Sequence, residues 1–225
     1  MMKRLSSAIK GLSAILLAFS LVSCSDTDGP PEDLVGTVVS GEPALGTVYV
    51  VDANDIELSE EVGLSGIFKI DVRKKTAPFM LKFVTKDGLV AEQFSYTEKS
   101  DALVNITPLT SLAMFVANGN ADPAVLYNNW SSTFVNITPE IVTNAQAIVN
   151  ANLLTQFTAF SLDPFTYDFV GTVFAANGTS IDGLLDVTTV DISAGFVDIS
   201  VLEAGPITFN TGVDVSDYDI GGTAV

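Results

Sequence analysis

The sequence contains no histidine, one cysteine and one tryptophan, and these shortages narrow the chemistry before any motif is considered. Without imidazole, serine–histidine triads and most zinc centres are excluded. With a single thiol, Cys24, no intramolecular disulfide can form. Neither a Gly-x-Gly-x-x-Gly fingerprint nor a phosphate-binding loop sequence occurs. Basic residues are scarce and one-sided. Of ten, Lys3, Arg4 and Lys10 precede Cys24 and none follows Lys99, whereas all 27 carboxylates follow Cys24. The chain from Cys24 onward therefore holds seven basic and 27 acidic residues, a net charge of −20. Such a surface repels phosphate backbones and anionic headgroups, which argues against nucleic acid as a partner. Cationic partners and divalent metal remain open.

What is present is apolar material. Hydrophobic residues make up 48% of the 225, with 14 phenylalanines among them, enough for a sizeable core in one or two domains. The first 23 residues read as an address. Lys3, Arg4 and Lys10 form a positive opening, and the apolar run Gly11 to Val22 is too short to span a bilayer comfortably. The run ends on Leu21-Val22-Ser23-Cys24, which resembles the lipobox of bacterial lipoproteins. The resemblance implies a signal peptide over residues 1–23, cleavage between Ser23 and Cys24, and a diacylglycerol on the Cys24 sulfur. Each methylene buried in the membrane then contributes ~0.8 kcal/mol of anchoring. Ser25, rather than Asp, after the cysteine implies the outer membrane if the cell is Gram-negative. Residues 24–33, with two prolines, a glycine and four acids, read as a flexible tether.

From Leu34 to about Val104 the pattern changes to short β-rich runs between turn signals: Leu34 to Val39, Thr47 to Val51, Ile67 to Val72, Phe79 to Thr85 and Leu89 to Tyr96. Gly36-Thr37-Val38-Val39, Pro43-Ala44-Leu45-Gly46-Thr47-Val48-Tyr49-Val50, Gly66-Ile67-Phe68-Lys69-Ile70 and Pro78-Phe79-Met80-Leu81-Lys82-Phe83 follow in an order that resembles carboxypeptidase regulatory-like (transthyretin-like) domains. That resemblance implies an antiparallel β-sandwich over residues 34–104, an accessory module with no catalytic residues. Asp55 to Leu64 reads as an acidic, solvated hairpin loop. It is no EF-hand: counted from Asp52, the sixth and twelfth positions hold Glu57 and Gly63 where glycine and glutamate are required. Arg73-Lys74-Lys75, the one basic cluster beyond Cys24, falls where a strand should turn.

Residues 105–225 read as an α+β domain, with helices over about 108–160 and strands over about 187–219. Thr107-Pro108, Asp122-Pro123 and Thr138-Pro139 each place a capping side chain before a proline in the first helical position. Helices are expected at Pro108 to Ala117, Pro123 to Trp130 and Pro139 to Phe160. The first is apolar nearly all round and therefore buried. The third has an apolar stripe through Val142, Ala145, Val149, Leu153 and Phe157. Its other face is rich in amides, and Asn144, Asn152 and Gln156 are candidates for a neutral hydrogen-bonding ligand such as a glycan, or for burial against another polar surface. A short helix from Thr179 or Ser180 precedes an antiparallel β-meander near Val187 to Ser193, Phe196 to Val201 and Ile207 to Asn210. The helices and the meander are expected to pack together.

No catalytic constellation stands out. Asp163, Asp168, Asp182, Asp186, Asp191 and Asp198 could pair in space as hydrolytic carboxylates, and Asp214, Asp217 and Asp219 are candidate oxygen ligands for calcium. The expectation is a lipid-anchored envelope protein whose non-enzymatic module binds a protein or glycan, with no other cofactor. Its alternatives are a carboxylate-pair or metal-assisted hydrolase of an envelope polymer, and a purely structural component.

Overall fold

The computed structural model describes residues 32–39, 45–88, 90–175, 177–193 and 196–222. The expected signal peptide over residues 1–23, Cys24 and most of the expected tether lie outside them, as do Ser40 to Ala44, Leu89, Ala194 and Gly195. The described residues belong to one compact unit of mixed α+β structure with several antiparallel sheets.

Among the described residues seven strands come first: β1 (Asp33–Thr37), β2 (Gly46–Val51), β3 (Glu57–Val62), β4 (Ile67–Asp71), β5 (Phe79–Thr85), β6 (Gln93–Thr97) and β7 (Ala102–Leu103). One sheet runs β3-β2-β5-β6, antiparallel throughout. A smaller one runs β4-β1-β7, in which β7 lies parallel to β1. Leu34, Phe68 and Ile70 of the small sheet share a core with Val48, Val50, Phe79, Leu81 and Phe83 of the large one. Close approach of these elements requires glycine in β1. A Cβ on Gly36 would strike the Val104 carbonyl and the Phe68 ring.

The β3 strand is a departure from the expected acidic loop. Six residues pair with β2 from Gly46↔Val62 to Val51↔Glu57. Leu58 and Val62, on the same face of the strand, pack toward the shared core, and that burial overrides the poor strand propensity of Glu57, Glu60 and Glu61. As the sheet's edge strand, β3 presents carboxylates that discourage pairing with another chain.

Six helices follow among the described residues: α1 (Pro108–Ala117), α2 (Pro123–Tyr127), α3 (Trp130–Thr133), α4 (Pro139–Asn152), α5 (Leu154–Ala159) and α6 (Ser180–Val187). The three proline starts stand where the capping pattern places them. Thr107 and Thr110 form a reciprocal capping box, Asp122 accepts from the Ala124 N–H, and Thr138 accepts from the Ile141 N–H. The expected third helix is interrupted at Leu153. Beside the break, the Asn152 side chain donates to the Ile148 carbonyl (2.8 Å) and to the Asn210 carbonyl (2.9 Å), a local bond that competes with helix continuation.

Helix α1 is the hub, buried continuously from Leu109 to Phe115. Its Met114 joins a core in which Met80, Phe94 and Tyr96 of the large sheet meet Leu126, Tyr127 and Trp130 of α2 and α3. The large sheet is thus covered on both faces, which explains why β5 and β6 are buried along nearly their whole length. From the same helix, Leu109, Leu112, Ala113 and Phe115 enter a third core with α4, α5, α6 and the last sheet. That sheet runs β10-β9-β8, with β8 (Thr188–Ser193), β9 (Phe196–Val201) and β10 (Gly205–Ile207). Strand structure ends at Ile207, short of residue 219. The segment beyond is held instead by side-chain and backbone bonds: Tyr218 packs on Phe165 with centroids 4.8 Å apart, and the Asp219 N–H donates to the Phe165 carbonyl.

Candidate functional site

The amide face of α4 serves the irregular segment Leu162 to Phe174, whose buried backbone groups have no ladder to join. Asn150 donates to the Pro164 and Tyr167 carbonyls (3.0 and 2.9 Å), and Gln146 accepts from the Val170 N–H. Asn105, ahead of α1, donates to the Phe169 and Thr172 carbonyls and accepts from the Thr37 N–H. Asn152 clasps Asn210 in the same way, accepting from its N–H at 2.7 Å and donating to its carbonyl. Asn152 is therefore committed to the fold. Asn144 is exposed and Gln156 half-buried, and none of the three lines either of the two cavities described below. A hollow of about 400 Å³ does open beside Thr143 and Gln146, against Glu98, Lys99, Asp101 and Asp168.

Most of the candidate carboxylates close loops. Asp163 accepts from the Phe165 N–H and the Thr166 hydroxyl, Asp168 from the Val170 and Gly171 N–H groups, and buried Asp182 from the Asn177 and Gly178 N–H groups at 2.6 Å each. Asp186 is exposed on α6. Asp191 and Asp198 alone of the six stand opposite each other in register, on the exposed face of the last sheet. Asp214 turns the chain by accepting from the Ser216 N–H, which lowers its pKa, and Asp217 and Asp219 are exposed nearby. Among the described residues no group of three or more carboxylate or thiol side chains is placed to hold a metal ion. Nor is any helix among them long and apolar enough to cross a membrane.

The acids of the β2–β3 region also have structural partners. Asp52, 1% exposed, accepts backbone N–H groups from Asn54, Ile56 and Thr76 at 2.8–3.0 Å. Burial alone would raise its pKa; the three donors outweigh it and the net shift is downward. Glu57 accepts from the Tyr127 hydroxyl at 2.8 Å, and burial followed by this carboxylate raises the phenol's pKa well above its usual range. Lys82 lies over the Tyr49 and Tyr127 rings, 5.1 and 4.6 Å from their centroids, in cation–π geometry.

A cleft of about 640 Å³ opens elsewhere, and none of the candidate binding residues lines it. Its walls are Val90 to Phe94, entering β6, and Thr188 to Ile192 of β8. Pro108 and Ser111 of α1 and Asp122 to Ala124 at the start of α2 complete it. Five consecutive residues line it from each strand, although side chains alternate between faces. A run of consecutive lining residues therefore marks a strand edge. Two wall residues are polar, almost fully buried and unsatisfied: Gln93 (3% exposed) and Thr188 (4%). Gln93 Nε2 and Oε1 and Thr188 Oγ1 have no hydrogen-bond partner, and neither do Ser95 Oγ and Thr85 Oγ1 on the same inner side of the large sheet. Each such group costs roughly 1–3 kcal/mol. Charge in the lining is of one sign, from Glu92, Asp122 and Asp191. The sequence does carry a trace of this site. Gln93, Ser95 and Thr97 place polar groups on one pleat of a strand whose other pleat is Phe94 and Tyr96, which is unusual for a strand covered on both faces.

Comparison with protein-family models, curated proteins and solved structures finds no match for this chain. The class defined by the coordinates is accordingly the structural one, a mixed α+β unit with a polar-walled, acidic cleft.

Proposed function

We propose that this protein is a lipid-anchored component of the bacterial cell envelope, of the outer membrane if the cell is Gram-negative, whose folded unit is a binding module and not an enzyme. Residues 34–104 act in it as a transthyretin-like β-sandwich. The two sheets sharing one core support that reading, with β7 parallel to β1 as a departure from an all-antiparallel arrangement. The observation that carries the binding role is the cleft beside Gln93 and Thr188. The Gln93 amide and the Thr188 hydroxyl have no partner in the protein and lie just behind the cleft wall, closed to solvent, so a ligand that displaces the wall side chains would supply the missing partner. The loop-closing roles of Asp163, Asp168 and Asp182 leave the hydrolase alternative with the exposed Asp191–Asp198 pair.

Two measurements test the reading. Incorporation of a labelled fatty acid is expected for the wild-type chain and not for Cys24→Ala; label on the variant would remove the anchoring claim. For the cleft, a panel of envelope peptides and oligosaccharides is screened by thermal shift, with the single buried tryptophan, Trp130, as reporter. A ligand raises the midpoint of the wild type by mass action and fails to raise that of Gln93→Met. A panel in which every compound acts equally on both proteins overturns it.

A further inference from the structure

Strand β8 is the terminal strand of its sheet, and its free edge faces the cleft. In an antiparallel ladder, alternate residues exchange both backbone bonds with the partner strand, while the residues between them direct theirs outward. The Val187 carbonyl accepts from the Leu202 N–H at 2.8 Å. The bonded set on this side is therefore Val187, Thr189, Asp191 and Ser193, in register with β9. Thr188, Val190 and Ile192 point their backbone groups away from β9. The Thr188 N–H is taken up by the Leu185 carbonyl at the end of α6. Val190 and Ile192 remain, each with an N–H and a C=O along an edge that pairs with no other strand among the described residues. Both residues line the cleft.

Across the opening, the Phe94 N–H donates to the Ser111 hydroxyl at 2.8 Å. Phe94 thus points its backbone away from β5, and α1 covers the edge of β6 at that point. Glu92 immediately precedes β6 on the same side of the opening. The charged residues of the lining are Glu92, Asp122 and Asp191, with no lysine or arginine among them. Asp122 is partly engaged as the α2 cap, and Glu92 Oε1 lies 4.0 Å from Lys82 Nζ.

We infer that the cleft binds an extended segment of a basic polypeptide, which adds as a strand to the β8 edge at Val190 and Ile192 while its cationic side chains meet Glu92, Asp122 and Asp191. Repeating N–H and C=O groups on alternate residues, about 6.8 Å apart, match another main chain and not the hydroxyl array of a sugar. The acidic lining selects for lysine or arginine, and the −20 charge of the chain beyond Cys24 favours encounter with such a partner. This inference rests on reading the cleft as a binding site.

The test uses the full chain in detergent and three probes: acetyl-(Lys-Val)3-amide, acetyl-(Glu-Val)3-amide and a neutral chito-oligosaccharide. The basic peptide is expected to bind, more weakly as salt is raised, and the acidic one not to bind. Val190→Pro removes one outward N–H without touching a β8–β9 bond, a placement proline tolerates on an edge strand. It should weaken the basic peptide by roughly tenfold or more. A second variant that leaves the backbone intact, Glu92→Gln with Asp191→Asn, should weaken it and flatten the salt dependence. Equal binding of both peptides, or a basic peptide indifferent to both variants, overturns the inference. If the oligosaccharide binds instead and Gln93→Met abolishes that, strand addition fails while the cleft stands as a binding site. If no probe binds, both readings fall.

Discussion

Asn105 shows most directly how single side chains hold this protein together. Fully buried, it joins the end of β1 to the irregular segment through Thr37, Phe169 and Thr172. Replacing it by alanine strands three backbone groups in the interior, at an expected cost of about 2–4 kcal/mol in urea unfolding. Gly36→Ala should be comparably damaging, at about 2–3 kcal/mol, because the new methyl meets the rigid Val104 carbonyl. Gln93→Met should have the opposite sign. It keeps the volume, removes two unsatisfied buried polar atoms, and is expected to raise stability by about 1–2 kcal/mol while losing ligand. Asp52 adds a pH dependence whose sign is set by its lowered pKa. The carboxylate's contribution is complete above the ordinary 3.8 and disappears as pH falls through the lower folded value. Acidification should therefore destabilise the wild type more than Asp52→Ala, as measured by unfolding at stepped pH.

At the scale of elements, α4 divides its labour. Val142, Ala145 and Val149 bury its apolar stripe, while Gln146, Asn150 and Asn152 take the place of a hydrogen-bond ladder for neighbouring irregular chain. Asn152→Ala is expected to speed amide exchange over residues 208–222 and leave β2 and β5 protected, since that clasp holds Asn210. Much of this level was legible in the sequence. Thr107-Pro108, Asp122-Pro123 and Thr138-Pro139 mark helix starts because capping is a local bond between residues two or three apart. The β3 strand was not legible, since it depends on six pairings with β2 that no local propensity reports. Of the cleft only the polar pleat of Gln93, Ser95 and Thr97 was legible, since its walls come from residues about a hundred positions apart in the chain.

Over the whole molecule, charge is the dominant property. Mutual repulsion of the carboxylates should make stability rise between low salt and physiological salt, as screening shortens to about 8 Å. A midpoint that falls or stays level would show that local clasps such as Asp52 outweigh the global field. What the sequence by itself determined are the properties written within a few residues or in bulk sums: the acidic balance, the lack of imidazole, the lipobox resemblance at Leu21-Val22-Ser23-Cys24 and the helix caps. Tertiary structure alone decided which polar groups are consumed and which remain. Asn150 and Gln93 are both buried side-chain amides, yet the Asn150 amide group donates to two loop carbonyls while Gln93 bonds to nothing in the protein. The physical reason is that hydrogen-bond satisfaction depends on distance and direction, and these are set only when remote segments pack against one another.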